Sequence, residues 1–195
     1  MTIPVTKSVT IRVHATQPRS QANGPGTRYT LWVQGCSLGC AGCFNQETHQ
    51  AAGAGTPVAD VIDDIVAQAE TGHIEGLTIS GGEPMEQPEA VLALLSQVRT
   101  LTDLSVLMFS GYTRAEIAQM ALGPAIEGQL DVLIDGRYES TQRLGRDLQG
   151  SANQGIHLLT DRYTKAQVAA TPEAEIRIAA DGSFTVTGVA PMKIR

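Results

Sequence analysis

The stretch Gly35-Cys36-Ser37-Leu38-Gly39-Cys40-Ala41-Gly42-Cys43-Phe44-Asn45 holds every cysteine of the chain and follows directly on the apolar run Arg28-Tyr29-Thr30-Leu31-Trp32-Val33. Three thiolates at a C-x3-C-x2-C spacing sit on one short loop and can all point at a single metal centre, and soft sulfur ligands favour zinc, Cu(I) or iron–sulfur clusters. Three ligands leave one position open. On a cluster that position is an iron free to bind a small molecule; on zinc it is a place for histidine or water. A disulfide pair with a spare thiol fits poorly, because three is an odd number and Met1-Thr2-Ile3-Pro4 carries no charged segment followed by an apolar leader core. A structural zinc site remains, since His49 follows the loop and His14 precedes it. Spacing alone leaves zinc and cluster equally open.

Working outward, residues 28–33 are dense in β-branched and aromatic side chains, so the cysteine loop lies beyond the C-terminal end of a strand. A second strand-like run, Gly76-Leu77-Thr78-Ile79, ends in Ser80-Gly81-Gly82-Glu83-Pro84. A glycine pair after a strand is by itself only a turn. It also lets backbone approach a ligand closely, and the Glu83 carboxylate is an acceptor for an ammonium. Elsewhere residues 9–14 read as a strand and residues 17–26 as a flexible, breaker-rich approach to the core. Thr56 is expected to cap a helix with Pro57 at its first position and Val58, Val61, Ile62, Ile65 and Val66 on one face, ending at Gly72. Pro88 opens a second helix with Val91, Leu92, Leu94, Leu95 and Val98 inward, and residues 104–109 form a buried strand. Thr113 and Glu116 make a capping box for a third helix through Leu122, halted by Gly123-Pro124, before a strand at residues 131–134.

This alternation argues for an α/β fold with a mainly parallel sheet and ligands at the C-terminal strand ends. A complete eightfold barrel takes about 250 residues. The 195 residues here therefore point to an open, partial (β/α) barrel. Residues 175–180 and 183–187 read as a hairpin about a type I′ turn at Asp181-Gly182, appended to the repeat. The chain is expected to be one domain, with a core at about 20–160 and an extension at about 161–195. Its 42% hydrophobic content suffices for a core, and its formal net charge of -6 supplies no basic field for nucleic acid. No apolar run approaches the roughly 20 residues that span a bilayer. The expected location is the cytoplasm, where thiolates stay reduced.

Taken together, the cysteine loop and Ser80-Gly81-Gly82-Glu83-Pro84 resemble the radical S-adenosylmethionine superfamily, in which such loops bind a [4Fe-4S] cluster and the methionine end of S-adenosylmethionine. Further stretches are similar to the glycyl radical enzyme activases, most of all to the small type serving the anaerobic ribonucleotide reductase. They are Asn23-Gly24-Pro25-Gly26-Thr27-Arg28, residues 33–45, residues 109–113, residues 131–136 and Gly150-Ser151-Ala152-Asn153-Gln154. Gly42, where many superfamily members carry an aromatic residue, is shared with the small activases. Gly155 stands where an arginine is expected, and residues 160–195 run past the usual end.

The resemblance implies that Cys36, Cys40 and Cys43 ligate the cluster, that the backbone of Gly42 and Phe44 passes the adenosyl part, and that Gly81, Gly82, Glu83 and Pro84 hold the methionyl end. It implies reductive cleavage to a 5′-deoxyadenosyl radical, a one-electron donor such as flavodoxin or ferredoxin, and a glycyl radical enzyme as partner. A chain spent on an incomplete barrel has little material to enclose a small substrate, which also favours a protein or peptide, with the hairpin edge as a dock. The alternatives are a stand-alone radical enzyme acting on a peptide or small molecule, and a non-catalytic zinc-binding module. Arg28 reads as a solvated rim residue, Asp135 as the start of a turn, Trp32 and Tyr112 as packing residues, and the scattered histidines as structural.

Overall fold

A computed structural model describes residues 9–190. The Met1–Pro4 reading and the last residues of the extension lie outside them. In chain order the elements are β1 (Thr10–Ile11), β2 (Val13–Ser20), β3 (Arg28–Val33), β4 (Thr56–Pro57), α1 (Val58–Glu70), β5 (Gly76–Gly81), α2 (Pro88–Leu101), β6 (Ser105–Ser110), α3 (Arg114–Ile117), α4 (Gly123–Glu127) and β7 (Val132–Asp135). There follow β8 (Arg143–Arg146), β9 (Gln149–Ser151), β10 (Gly155–Leu158), α5 (Lys165–Ala169), β11 (Glu175–Ile178) and β12 (Phe184–Thr187).

The central sheet has six strands in the order β10-β7-β6-β5-β3-β2. Strands β3, β5, β6 and β7 are parallel, and the outer β2 and β10 run antiparallel to their neighbours. The fold is thus mixed α/β with a mainly parallel sheet, and among the described residues no sheet closes on itself. Alternation along the strands divides the core in two. Tyr29, Leu31, Val33, Leu77, Ile79, Val106, Met108 and Leu133 pack with α1 and α2 through Ile62, Ile65, Leu94, Leu95 and Val98. On the opposite, inner face Leu107, Val132 and Ile134 pack with Leu148, Val168, Phe109, Ile156, Leu158 and Tyr163. Parallel strands covered on both faces need the near-continuous apolar runs seen in β6 and β7.

Several expectations are corrected. Residues 17–20 belong to β2, whose register shifts beside β3, and its Pro18 is tolerated on an edge strand. Residues 22–25 are buried beneath the sheet. Thr56 caps nothing: it pairs with Ile11 while Pro57 pairs with Thr10, and α1 starts only at Val58. The third helix stops at Ile117. Its capping box forms as expected, but a Cβ on Gly123 would strike the Ile117 carbonyl, so the chain doubles back there and Gly123-Pro124 begins α4 instead of ending a helix. The C-terminal hairpin has a longer connection than a type I′ turn. Ala179 N–H donates to the Ser183 carbonyl, Gly182 N–H to the Ala179 carbonyl, and Gly182 alone adopts positive φ, a three-residue loop with a glycine bulge.

Arg28 is the largest departure. It is fully buried on the inner face, where it forms a floor under the sheet. Its guanidinium and Nε donate to Thr78 Oγ1 (2.7 Å), the Pro25, Leu77 and Ser105 carbonyls, Ser105 Oγ and Tyr163 Oη. Burial pushes its pKa down, yet a guanidinium stays charged. Among the described residues no carboxylate pairs with it. Neutral oxygens from the 23–28 loop, two strands and the extension share that charge. Arg28→Met is expected to destabilise the cofactor-free protein by on the order of 3 kcal/mol or more in urea unfolding, because several buried acceptors lose their donor at once. A change under about 0.5 kcal/mol, the usual range for a surface substitution, would show the floor to be dispensable.

Candidate iron–sulfur site

Beyond β3 the chain enters the cysteine loop through Gly35, whose φ of 105° turns it off the sheet. Gly35 N–H donates to the Thr48 carbonyl (2.7 Å) and Cys36 N–H to the His49 carbonyl (3.0 Å), so the loop closes on its own far end. Cys43 N–H donates to the Cys40 carbonyl (3.1 Å), and Gly39 and Gly42 take positive φ. Two side chains that sequence reading passed over fix this loop. The Gln34 amide donates to the Glu47 and Gln50 carbonyls, while its oxygen lies 2.8 Å from His14 Nδ1. Glu86 accepts from Ser37 N–H (2.9 Å) and Ser37 Oγ (2.6 Å), next to Cys36. The only available signal was position, since both residues flank the two motifs.

The turn after β5 is locked onto this loop. Gly82 N–H donates to the Val33 carbonyl (2.8 Å) and Glu83 N–H to the Gly35 carbonyl (2.8 Å). A Cβ on Gly82 would strike the Gly35 carbonyl, and one on Gly81 (φ 99°) would come within 2.6 Å of Val33 N. Here the glycines serve backbone against backbone.

Glu83 is buried, at 1% exposure. Its Oε1 accepts from Met85 N–H (2.8 Å) and Ser110 Oγ (2.9 Å), and its Oε2 from Gly111 N–H (2.7 Å). A carboxylate has about four acceptor sites. Three are filled by the chain, which ties the ends of β5 and β6 together and leaves one unfilled. Burial pushes its pKa up to about 7 against the pull of those three donors.

The ends of β7 and β9 complete the rim. Gln154 donates to the Gly136 carbonyl (2.9 Å) and accepts from Gly150 N–H (2.8 Å), and Asn153 donates to the Arg137 carbonyl (2.8 Å). Phe44 meets Tyr138 edge to face, with ring centroids 5.5 Å apart, and a Cβ on Gly150 would crowd both rings at 3.2 Å. Asp135 does more than start a turn: it is buried, accepts from Arg114 N–H (2.5 Å) and Gly155 N–H (3.1 Å), and lies 2.9 Å from His157 Nε2. A side chain on Gly155 would run into Asp135 and His157, so this packing leaves no room for the expected arginine.

These strand ends enclose a cavity of about 380 Å³. Its lining includes Cys36, Cys40, Cys43, Phe44, Trp32, Gly81, Gly82 and Glu83, together with His14 and His49. Gly42 and Pro84 stand just outside it, Pro84 buried beneath the turn. The extension lines it too, through residues 185–189, so the hairpin is a wall of the cavity and not an appendage. All three cysteines are free and partly exposed, and burial pushes the Cys36 and Cys43 thiols up. Among the described residues, no three His, Cys, Asp or Glu side chains close around one ion position. The three cysteines lie on the cavity wall, a sulfur donor set of the kind that holds zinc or an iron–sulfur cluster.

An α/β protein with three cysteines on a cavity at the C-terminal ends of its parallel strands belongs to the class of cysteine-held metal or iron–sulfur proteins. Residues 22–157 match the family described as "4Fe-4S single cluster domain". The chain is 40% identical over 155 residues to the anaerobic ribonucleoside-triphosphate reductase-activating protein of Vibrio cholerae, a match covering 75% of this chain and 97% of that one. It is 30% identical to the protein of that name from bacteriophage T4 (76% and 94% covered) and 31% identical to that of Escherichia coli K12 (75% and 97%). The chain belongs to this family of radical S-adenosylmethionine activating proteins and carries its iron–sulfur cluster domain.

Glu83 generates a prediction. It binds its proton more tightly folded (pKa about 7) than unfolded (4.5), so its contribution to stability is full below 4.5 and is lost as pH rises through 7. The loss is on the order of 3 kcal/mol. In Glu83→Gln the side chain stays neutral, so between pH 5 and 8 the cofactor-free wild type is expected to lose stability relative to the variant in denaturant unfolding. Parallel pH profiles for the two proteins would contradict a raised Glu83 pKa.

Proposed function

We propose that this chain reductively cleaves S-adenosylmethionine at a [4Fe-4S] cluster and installs a glycyl radical on a partner enzyme, the anaerobic ribonucleoside-triphosphate reductase for which its relatives are named. The observation that carries the reading is that the three cysteines and the Gly81-Gly82-Glu83 turn, distant in sequence, line one cavity. Cys36, Cys40 and Cys43 would hold the cluster, the backbone at Gly42 and Phe44 would run along the adenosyl part, and Gly81, Gly82, Glu83 and Pro84 would receive the methionyl end. When bound, the pair supplies one electron, taken from a donor such as flavodoxin or ferredoxin, that splits the sulfonium into methionine and a 5′-deoxyadenosyl radical able to take a glycine α-hydrogen.

The chain's own contribution is binding, aim and exclusion of water. Glu83 offers its fourth acceptor site to an ammonium, and a cation arriving there favours the ionised carboxylate. Glu86 and Gln34 hold the cysteine loop in place. Phe44, Trp32, Phe109 and Leu148 give the cavity apolar walls that keep a reactive species from solvent. The open sheet fits an incomplete barrel whose missing side a protein substrate supplies, and we take residues 1–195 as one domain, the extension packing on the inner face through Tyr163 and Val168. No helix among the described residues is long and apolar enough to cross a membrane.

Anaerobic reconstitution is expected to load one cluster of about four irons. Cys36→Ala, Cys40→Ala and Cys43→Ala should each abolish it, because no further cysteine exists to substitute. Full iron content in all three variants would remove the assignment.

Reduced, reconstituted protein mixed with S-adenosylmethionine and the reductase should give 5′-deoxyadenosine by mass spectrometry and a glycyl doublet by electron paramagnetic resonance. Deoxyadenosine without a protein radical would exclude the activase role and keep the cleavage chemistry.

A further inference from the structure

The C-terminal hairpin is built inside out. Strand β11 pairs with β12 in the register Glu175↔Thr187, Ile176↔Val186, Arg177↔Thr185 and Ile178↔Phe184. Directly opposed residues share a face, so one face carries Ile176, Ile178, Phe184 and Val186 and the other Glu175, Arg177, Thr185 and Thr187. The polar face is the one turned to the body. Glu175 accepts from Gln21 N–H (2.6 Å) and Ser20 Oγ (3.3 Å), Asn23 donates to Thr187 Oγ1 (3.1 Å), and Arg177 donates to the Arg19 carbonyl. Toward the turn the apolar face looks outward, with Ile176 45%, Ile178 77% and Phe184 55% exposed, while Val186 at its base is half-buried and lines the cavity. A hairpin folding only to cover the sheet would take the opposite register, since a one-residue slip exchanges the faces.

Of the four large apolar side chains exposed among the described residues, three stand on this hairpin. Clustered exposed apolar side chains mark an interaction surface. The occupant follows from continuity with the cavity, since residues 185–187 line it while their neighbour Phe184 faces out. A glycine delivered into the cavity arrives on a segment of a folded protein, and that protein must rest on the rim this hairpin forms. The extension also lies beyond the family match at 22–157. The Vibrio cholerae relative, 97% covered by its match, has little length left for a counterpart.

We infer that the outward face formed by Ile176, Ile178 and Phe184 is the docking surface for the protein that receives the radical, an inference that rests on the activase reading. The polar inner face holds the hairpin against residues 19–23, and the apolar outer face is buried when the partner seats. Interface centres are apolar and depleted of charge, as this face is.

The test is a double variant, Ile178→Ser with Phe184→Ser, neither residue lining the cavity. Anaerobic sedimentation measures binding of the reconstituted wild type and variant to the anaerobic ribonucleoside-triphosphate reductase of the same organism. Iron content, circular dichroism and partner-free 5′-deoxyadenosine formation are measured in parallel. The expected result is binding weakened at least tenfold, with iron, spectrum and partner-free cleavage unchanged. Equal binding by wild type and variant overturns the inference, as does a wild type that does not bind the reductase. A wild type that self-associates and a variant that does not would assign the face to a second copy of this chain and equally overturn it. Failure of partner-free cleavage in the wild type would strike the activase reading itself, and the binding comparison separates the two.

Discussion

Two backbone hydrogen bonds, from Gly82 N–H to the Val33 carbonyl and from Glu83 N–H to the Gly35 carbonyl, join the turn after β5 to the entry of the cysteine loop. They form because Gly81 and Gly82 carry no side chain between the two backbones. With that contact made, Glu83 lies where its carboxylate gathers Met85, Ser110 and Gly111, and the end of β6 is drawn into the same knot. The cysteines and the glycine turn come to one cavity through backbone contact. Preorganisation of this kind keeps the cost of arranging the site out of the binding step.

At the other end of the sheet a buried cation plays the corresponding part. Arg28 gathers oxygens from the 23–28 loop, from β5 and β6 and from Tyr163 of the extension. A Cβ on Gly24 would come within 2.6 Å of its side chain, and one on Gly76 would strike the guanidinium. Those glycines are spaced around the arginine. The charge is spread over hydroxyls and carbonyls, an arrangement the planar, five-donor guanidinium permits and a lysine would not. The extension is bound to this floor through Tyr163.

The extension changes the character of an otherwise open sheet. It crosses the inner face from α5, where Val168 packs on Val132 and Ile134, to the hairpin held at residues 19–23. Part of the open side of the sheet is thereby walled by the chain itself.

Local chemistry determined a good deal unaided. The parallel strands, the long helices α1 and α2, the cysteine loop and the glycine turn were legible because each is written in contiguous residues: period-2 or period-3.6 apolar patterns, and ligands spaced for one centre. The resemblance carried by the two motifs together named the family. Burial and pairing belong to the tertiary structure alone. Arg28 looks like a rim residue at a strand start, and only the loop folded beneath the sheet takes it out of water. Thr56 looks like a cap until β1 claims it, and Gly123-Pro124 looks like a stop until the Ile117 carbonyl turns the chain back into α4. Glu86 and Gln34 had no signal of their own, since hydrogen bonds to backbone far along the chain leave no periodicity. The inversion of the hairpin is the clearest case. Its alternation fixes that the faces differ, but which face meets the body depends on what residues 19–23 offer, and polar groups there select the polar one.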